Sequence, residues 1–345
     1  MTNDIYRYDI SYGKASVPVY RVYARPLAGV RAIPESPFTG RSNRLMALEV
    51  DVEVFGDNFL PSYTRGDNSL VVATDSMKNF ILSQALAYDG ATLEGFLDML
   101  GHGFLSSYPQ MRALRLTGRE LPFTPVTVAM PTATNTDVGA GNSAAFEASP
   151  VLFDRARGDH AFGELDYRRG GADGMAPMLA GHRCGLAGLR LVKITGSSFT
   201  RFVRDEHTTL PERTDRPLYI FLDLSWTYND PAALLDRDHV AYVPAEQVRD
   251  LVCTVFHSFV SESIQHLVHE MGARLLERFP QLATVGFAAQ NHTWDPAARS
   301  SDDPRVRVYT DPFVAHGLIT LTMSRDRDGE ARSISGDTGL GDGGS

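Results

Sequence analysis

The sequence predicts an α+β protein of two similar halves, each an antiparallel sheet with a pair of helices on one face. Three observations carry this. Apolar residues recur with period two in stretches bounded by turn residues, as half-buried strands require. Two pairs of helical segments follow strands at corresponding places in the first and second halves. The chain has 345 residues, 43% hydrophobic and 22% charged, enough for two ordinary domains with a sizeable core.

In chain order, "DIYRYDI" and "VPVYRVYA" read as two strands joined at "SYGKAS", with Val17, Val19, Arg21 and Tyr23 in alternation. "LMALEVDVEVFG" (45–56) is a longer strand and "LVVA" (70–73) a short buried one. Residues 76–88 place Met77, Phe80, Ile81 and Leu86 near one helical face, and 92–109 forms a second helix. Strands resume at "ALRLTG" and "PVTVAM". The Thr-, Asn-, Gly- and Ala-rich stretch 131–150 reads as a loop and a domain boundary.

The second half repeats the order. "GLRLVKITG" and "RPLYIFLDLSW" read as strands, "PAEQVRDLVCTVFHSFV" and "ESIQHLVHEMGARLLERF" as helices, and "ATVGFAAQ", "VRVYT" and "GLITLTM" as strands. The expected division is 1–150 and 151–325. The Gly- and Asp-rich tail, 326–345, is expected to be disordered. Open sheet edges need cover, and oligomerisation is a common way to supply it.

Charge and cysteine content narrow the function. A formal net charge of -9 and a pI near 5.6 argue against nucleic acid as the main partner, because phosphate binding needs a basic face. A local basic pocket for a small anion remains compatible. Cys184 and Cys253 stand in no CxxC pair, which indicates neither a zinc ribbon nor a disulfide framework and fits a reducing compartment. The polar N-terminal stretch has no signal-peptide core, and no apolar run approaches the ~18 residues of a membrane span. The expectation is a cytoplasmic protein with no membrane partner.

Several constellations suit chemistry. Thr74 and Asp75 open a helix after an apolar stretch. They read as an N-cap, and equally as a helix start that offers N–H groups to an anion. Lys14 follows Gly13 at a bend, where a lysine serves as a base only if its surroundings lower its pKa. Residues 197–216 carry Arg201, Arg204, Arg213 and Arg216 with Phe199 and Phe202. An aromatic face beside a guanidinium fork suits a planar anion. His266 and His269 match no zinc signature. Asn291, His292 and Thr293 fall at a strand end, where Asn and Asp also serve as turn residues. No GxGxxG follows a strand, so nothing supports nicotinamide or flavin binding.

Taken together and in order, these pieces resemble urate oxidase, the cofactor-free uricase family, in its bacterial form. The matching text is "YGKASVPVYRV" (12–22), "YTRGDNSLVVATDSMKN" (63–79), "SSFTRFVRDEHTTLPERTDR" (197–216), "SESIQHLVHEMGARLL" (261–276) and "QNHTWD" (290–295). Residues 24–44, 130–190 and the tail match poorly. The resemblance implies the tunnelling fold (T-fold), with two tandem units per chain and four chains assembled into a barrel. It implies oxidation of urate by O2 and water to 5-hydroxyisourate and hydrogen peroxide, with no cofactor and no metal. It places the sites at subunit interfaces of a homotetramer. Lys14, Thr74 and Asp75 would come from one chain, and Phe199, Arg216, Ile264, Gln265 and Asn291 from its neighbour.

The roles it implies are specific. Arg216 and Gln265 would hold the pyrimidine side, Phe199 would stack, and the Ile264 backbone would add a hydrogen bond. Thr74 and the Asp75 N–H would meet the imidazole side. Lys14 would activate Thr74 as a proton relay, and Asn291 would hold oxygen and then water. Many relatives carry Asn-x-His where this chain has Asn291-His292-Thr293. A one-residue shift on a strand flips the side chain to the other face, so either Thr293 fills the role or His292 reaches in from a loop. Two alternatives differ in class. One is another T-fold enzyme acting on a pterin or GTP. The other is a purine-binding protein without turnover.

Overall fold

The computed structural model describes residues 6–130, 145–155, 158–171, 174–292 and 294–325. The expected tail at 326–345, most of the loop at 131–144 and Thr293 lie outside the described residues.

The first half begins with β1 (Ser11–Val22) and β2 (Leu45–Phe55), followed by a short α1 (Leu60–Arg65), then α2 (Thr74–Ala87) and α3 (Leu93–Ser107). Next come β3 (Ala113–Glu120), the ribbon of β4 (Thr124–Met130) and β5 (Ala145–Asp154), and β6 (His160–Gly170). The second half runs β7 (Ala176–Lys193), β8 (Leu218–Tyr228), a short α4 (Pro231–Leu234), α5 (Ala245–Ser258), α6 (Ile264–Arg278) and β9 (Leu282–His292). A second ribbon, β10 (Pro296–Arg299) and β11 (Arg307–Tyr309), precedes β12 (His316–Ser324).

Eight strands form one sheet in the order β1-β2-β3-β6-β7-β8-β9-β12, and its pairings are antiparallel. The halves are therefore hydrogen-bonded into one sheet rather than two, and that sheet is open, with β1 and β12 at its edges. The division expected at 150–151 falls inside β5, and the element order repeats from β7 onward.

Period and burial agree on why these elements form. Along β2, Met46, Leu48, Val50, Val52 and Val54 are all buried, as strict alternation requires. Helix α2 buries Met77, Ile81 and Ala85, a four-residue spacing that keeps them on one stripe. The expected Leu86 instead points to solvent, one position past the stripe. Helices α2 and α3 pack on β1, β3 and β6, whereas α5 and α6 pack on β7, β9 and β12. One hydrophobic cluster runs through both halves.

Two local expectations are corrected. The bend at "SYGKAS" is not a hairpin: β1 passes through it, with a bulge between Lys14 and Val17 and Ser16 at φ 55°. The Asp51 carboxylate accepts from the Ser16 N–H there, which holds the bulge. Residues 70–73 are not a strand. Among them only Val72 is buried, and the segment turns at Asn68, whose carbonyl accepts from the Val71 N–H. An apolar run of four is too short for periodicity to tell a strand from a loop that plugs one side chain into the core.

Candidate active site

Lys14 lies on the bulge of β1, opposite Val52. The preceding Gly13 leaves no room for a side chain, since a Cβ there would fall 1.8 Å from the Val52 carbonyl oxygen. Helix α2 packs against this strand, and the Tyr12 hydroxyl accepts from the Val72 N–H at 3.2 Å, tying β1 to the start of α2. Ala73, not Thr74, is the N-cap, and no side chain caps the helix. Thr74 and Asp75 therefore occupy the first helical positions, where backbone N–H groups have no carbonyl partner within the helix.

The Asp75 carboxylate accepts from Lys78 Nζ at 2.6 Å and from Asn79 Nδ2 at 3.0 Å, which turns it along the helix. The hydrogen bond and charge of Lys78 hold Asp75 below the usual carboxylate range, and the charge of Lys14 adds to the effect. The half-buried Lys14 and the exposed Thr74 and Asp75 thus form one cluster on the β1 edge of the sheet.

The second group gathers at the other side of the sheet. Phe199 and Arg213 exchange two backbone hydrogen bonds, the Arg216 N–H donates to Ser197, and the Ser198 N–H donates to Ser261. These bonds bring the 197–216 segment against the approach to α6. Arg213 pairs with Asp295 at 2.9 Å. The Arg216 guanidinium carbon stands 5.4 Å from the centre of the Phe199 ring. Burial lowers the Arg216 pKa from its ordinary value, and the positive charge of Arg213 pushes the same way. Its Nε is buried and has no hydrogen-bond partner within the described chain.

Ser263 caps α6, accepting from the His266 N–H at 3.1 Å, so Ile264 and Gln265 take its first two positions. The Ile264 side chain is in the core, which leaves its backbone for the site, and the Gln265 side chain is exposed. Asn291 sits on β9 opposite Ile220 and Gly317. Its Oδ1 is likewise buried without a partner.

His292 lines a pocket with Arg213, Arg216 and Asp295, but on another face of its strand than Asn291. It is the last residue of β9 and not part of a loop, so alternation turns it to the face opposite Asn291. Its ring lies 4.2 Å from the centre of Phe221 and 4.8 Å from that of His316. Its nitrogens contact the Phe313 carbonyl at 3.2 Å and Gln290 Oε1 at 3.1 Å. The ring is buried and hydrogen-bonded there. Thr293 is outside the described residues. Among those described, no three His, Cys, Asp or Glu side chains come together as a metal site, and the His266 ring packs on Phe259.

The two groups do not meet within one chain. Strand β1 is one edge of the sheet and β9 is seventh in the order. At about 4.8 Å per step, roughly 29 Å of sheet separates them.

A family model for uricase matches residues 10–147 and 182–320. The chain belongs to the uricase family. The uricase of Haloferax volcanii is 48% identical over 316 residues, 92% of this chain and 98% of its own length. The uric acid degradation bifunctional protein of Bacillus subtilis is 43% identical over 92% of this chain, which spans 61% of that longer protein. Among solved structures, the urate oxidase of Bacillus sp. TB-90 aligns with a TM-score of 0.84 at 41% identity, over 92% of this chain and all of the other. The uricase family thus accounts for the mixed α+β content and the antiparallel sheet. No helix among the described residues is long and apolar enough to cross a membrane.

Two features escaped the sequence reading. Asp295, the partner of Arg213, stands in "QNHTWD" but reads there as a turn residue. Glu94, in the first turn of α3, is 5% exposed and accepts from the Tyr242 hydroxyl of the other half at 3.0 Å. No local signal in the sequence marks either pairing, because both partners are distant along the chain.

Proposed function

We propose that this chain is a urate oxidase, converting urate, O2 and water to 5-hydroxyisourate and hydrogen peroxide in purine degradation, in a site completed by two copies of the chain. The observation that carries the reading is Arg216. It is a half-buried guanidinium beside the Phe199 ring, with a buried Nε–H that has no partner among the described residues. A planar anion stacked on Phe199 would supply what this group lacks.

The roles follow from the chemistry. Arg216 forks onto the pyrimidine side of urate through two charge-assisted hydrogen bonds, and Gln265 offers its amide to the same ring. The N–H groups at the start of α6, with Ile264 foremost, add donors there. Lys14, Thr74 and the Asp75 N–H of the neighbouring copy meet the imidazole side. Lys14 takes a proton through the Thr74 hydroxyl, leaving urate as an electron-rich dianion. The ring gives two electrons to oxygen, water supplies the new hydroxyl, and peroxide leaves with two protons. Asn291 holds oxygen, then water, above the ring. The reaction uses no metal or organic cofactor because the dianion is itself the reductant. His292 lies on the face of β9 opposite Asn291, and Thr293 is the candidate for the hydroxyl next to Asn291.

The open edges at β1 and β12 suit assembly into a tetrameric barrel, which covers them and brings the β1 group of one copy to the Arg216 group of another. The direct test follows urate absorbance, oxygen uptake and peroxide with metal-free protein. Equal consumption of urate and oxygen, unchanged by chelator, is the expected result. Binding of urate without consumption would instead favour a purine-binding protein.

A further inference from the structure

The Phe199 ring is not alone. Phe202 lies against it, the two planes within 10° of parallel and their centres 4.8 Å apart. Rings so placed cover one face of each other. A planar ligand on Phe199 therefore has only the face turned away from Phe202.

The turn that makes the stack is unusual. Between the two rings Arg201 has φ 60°, the left-handed region that a residue with a side chain enters at a cost. Two carboxylates hold it there. Glu212 accepts from the Arg201 N–H at 2.9 Å, and Glu262 accepts from its guanidinium at 3.3 Å. Arg204 stands 5.5 Å from the Phe202 ring, much as Arg216 stands 5.4 Å from Phe199. Neither phenylalanine belongs to the hydrophobic core, so core packing does not explain the pairing.

We propose that Phe202 is a positioning residue. It backs Phe199, fixes the plane of that ring, and so sets where a planar purine lies relative to Arg216 and Asn291. The proposal rests on the urate reading above. A ring backed on one face cannot tilt when a ligand meets the other, so the orientation is fixed before binding.

The test measures kcat and KM for urate, together with the thermal midpoint, in the wild type, Phe202→Leu and Phe202→Tyr. An aromatic pair of this kind corresponds to a change of about two- to tenfold in affinity. Phe202→Leu is expected to raise KM by that factor with kcat within about twofold, the pattern of lost uniform binding. Phe202→Tyr, which keeps the ring, is expected to restore KM. An unchanged KM in Phe202→Leu would overturn the proposal. So would a Phe202→Tyr as impaired as Phe202→Leu, or a lower KM in Phe202→Leu, which would mean that Phe202 covers the ligand's own face. Failure of Phe202→Leu to fold would also overturn it, by making Phe202 a core residue. A wild type that consumes no urate would defeat the activity reading instead. Calorimetric binding of xanthine, a planar purine, to the same three proteins would then decide the role of Phe202 separately.

Discussion

Arg216 carries its charge where burial is costly, with another guanidinium, Arg213, pushing its pKa in the same direction. Such an arrangement is stable in a protein only if something offsets it; Asp295 does so in part, and in the proposed site the substrate anion adds to it. Hydrogen bonds to charged groups contribute about 1.5–3 kcal/mol each, so Arg216→Ala is expected to raise KM by roughly ten- to a hundredfold. Steady-state kinetics checks this, and an unchanged KM would remove Arg216 from the substrate site. Lys14 and Thr74 act differently in the account, since they move a proton and hold little of the substrate. Lys14→Met and Thr74→Val are expected to lower kcat by about 10²–10⁴ with a much smaller effect on KM. Wild-type turnover in either variant would refute the relay. The pleat of β9 turns His292 to the face opposite Asn291, where it lines a pocket with Arg213 and Arg216.

At the scale of elements, α3 and the 242–243 segment are joined by a buried acid. Burial raises the Glu94 carboxyl to about 7 from an ordinary 4.5, and the charge of Glu120 adds to this against the Tyr242 hydroxyl and Arg41. The folded state thus holds a proton on Glu94 that the unfolded state releases near pH 4.5. The stability from this linkage is fully present below that pH and is lost as pH rises through about 7. Its size is on the order of 3 kcal/mol. Glu94→Gln keeps the shape without the charge, and thermal melts from pH 5 to 9 are expected to show less loss of stability at high pH than in the wild type. Parallel curves for the two proteins would contradict this.

The same element scale shows what the sequence made legible. Period-two stretches marked β2, β8 and β9, and apolar residues three and four apart marked the four helices of the two pairs, because each buries one face and the pattern of burial is written in the residues. What was not legible depended on distant partners. The start of β7, like β6, lies among glycines and charged residues that read as irregular until they pair. The β1 bulge depends on Asp51 across the sheet. Residues 70–73 looked like a strand only because apolar residues happen to be adjacent. The site residues are legible only through resemblance, since Phe199, Arg216 and Asn291 share no local spacing, and Phe199 and Arg216 come together only through the backbone bonds that join 197, 199, 213, 216 and 261.

For the whole molecule, the sheet order is decisive. It carries Lys14, Thr74 and Asp75 to one edge and Asn291 to the strand beside the other, too far apart to act on one small ring. The site proposed here therefore belongs to a pair of chains. The most direct test is complementation between Lys14→Met and Arg216→Ala, each expected to be impaired alone. The two are co-expressed so that mixed assemblies form, and urate oxidation is measured at a urate concentration near the wild-type KM. Random pairing leaves about one site in four with both intact halves, so activity is expected to recover to about a quarter of the wild-type value. Activity no higher than that of the two variants kept apart, with mixed assemblies present, would mean that each site is built within a single chain and would contradict the account.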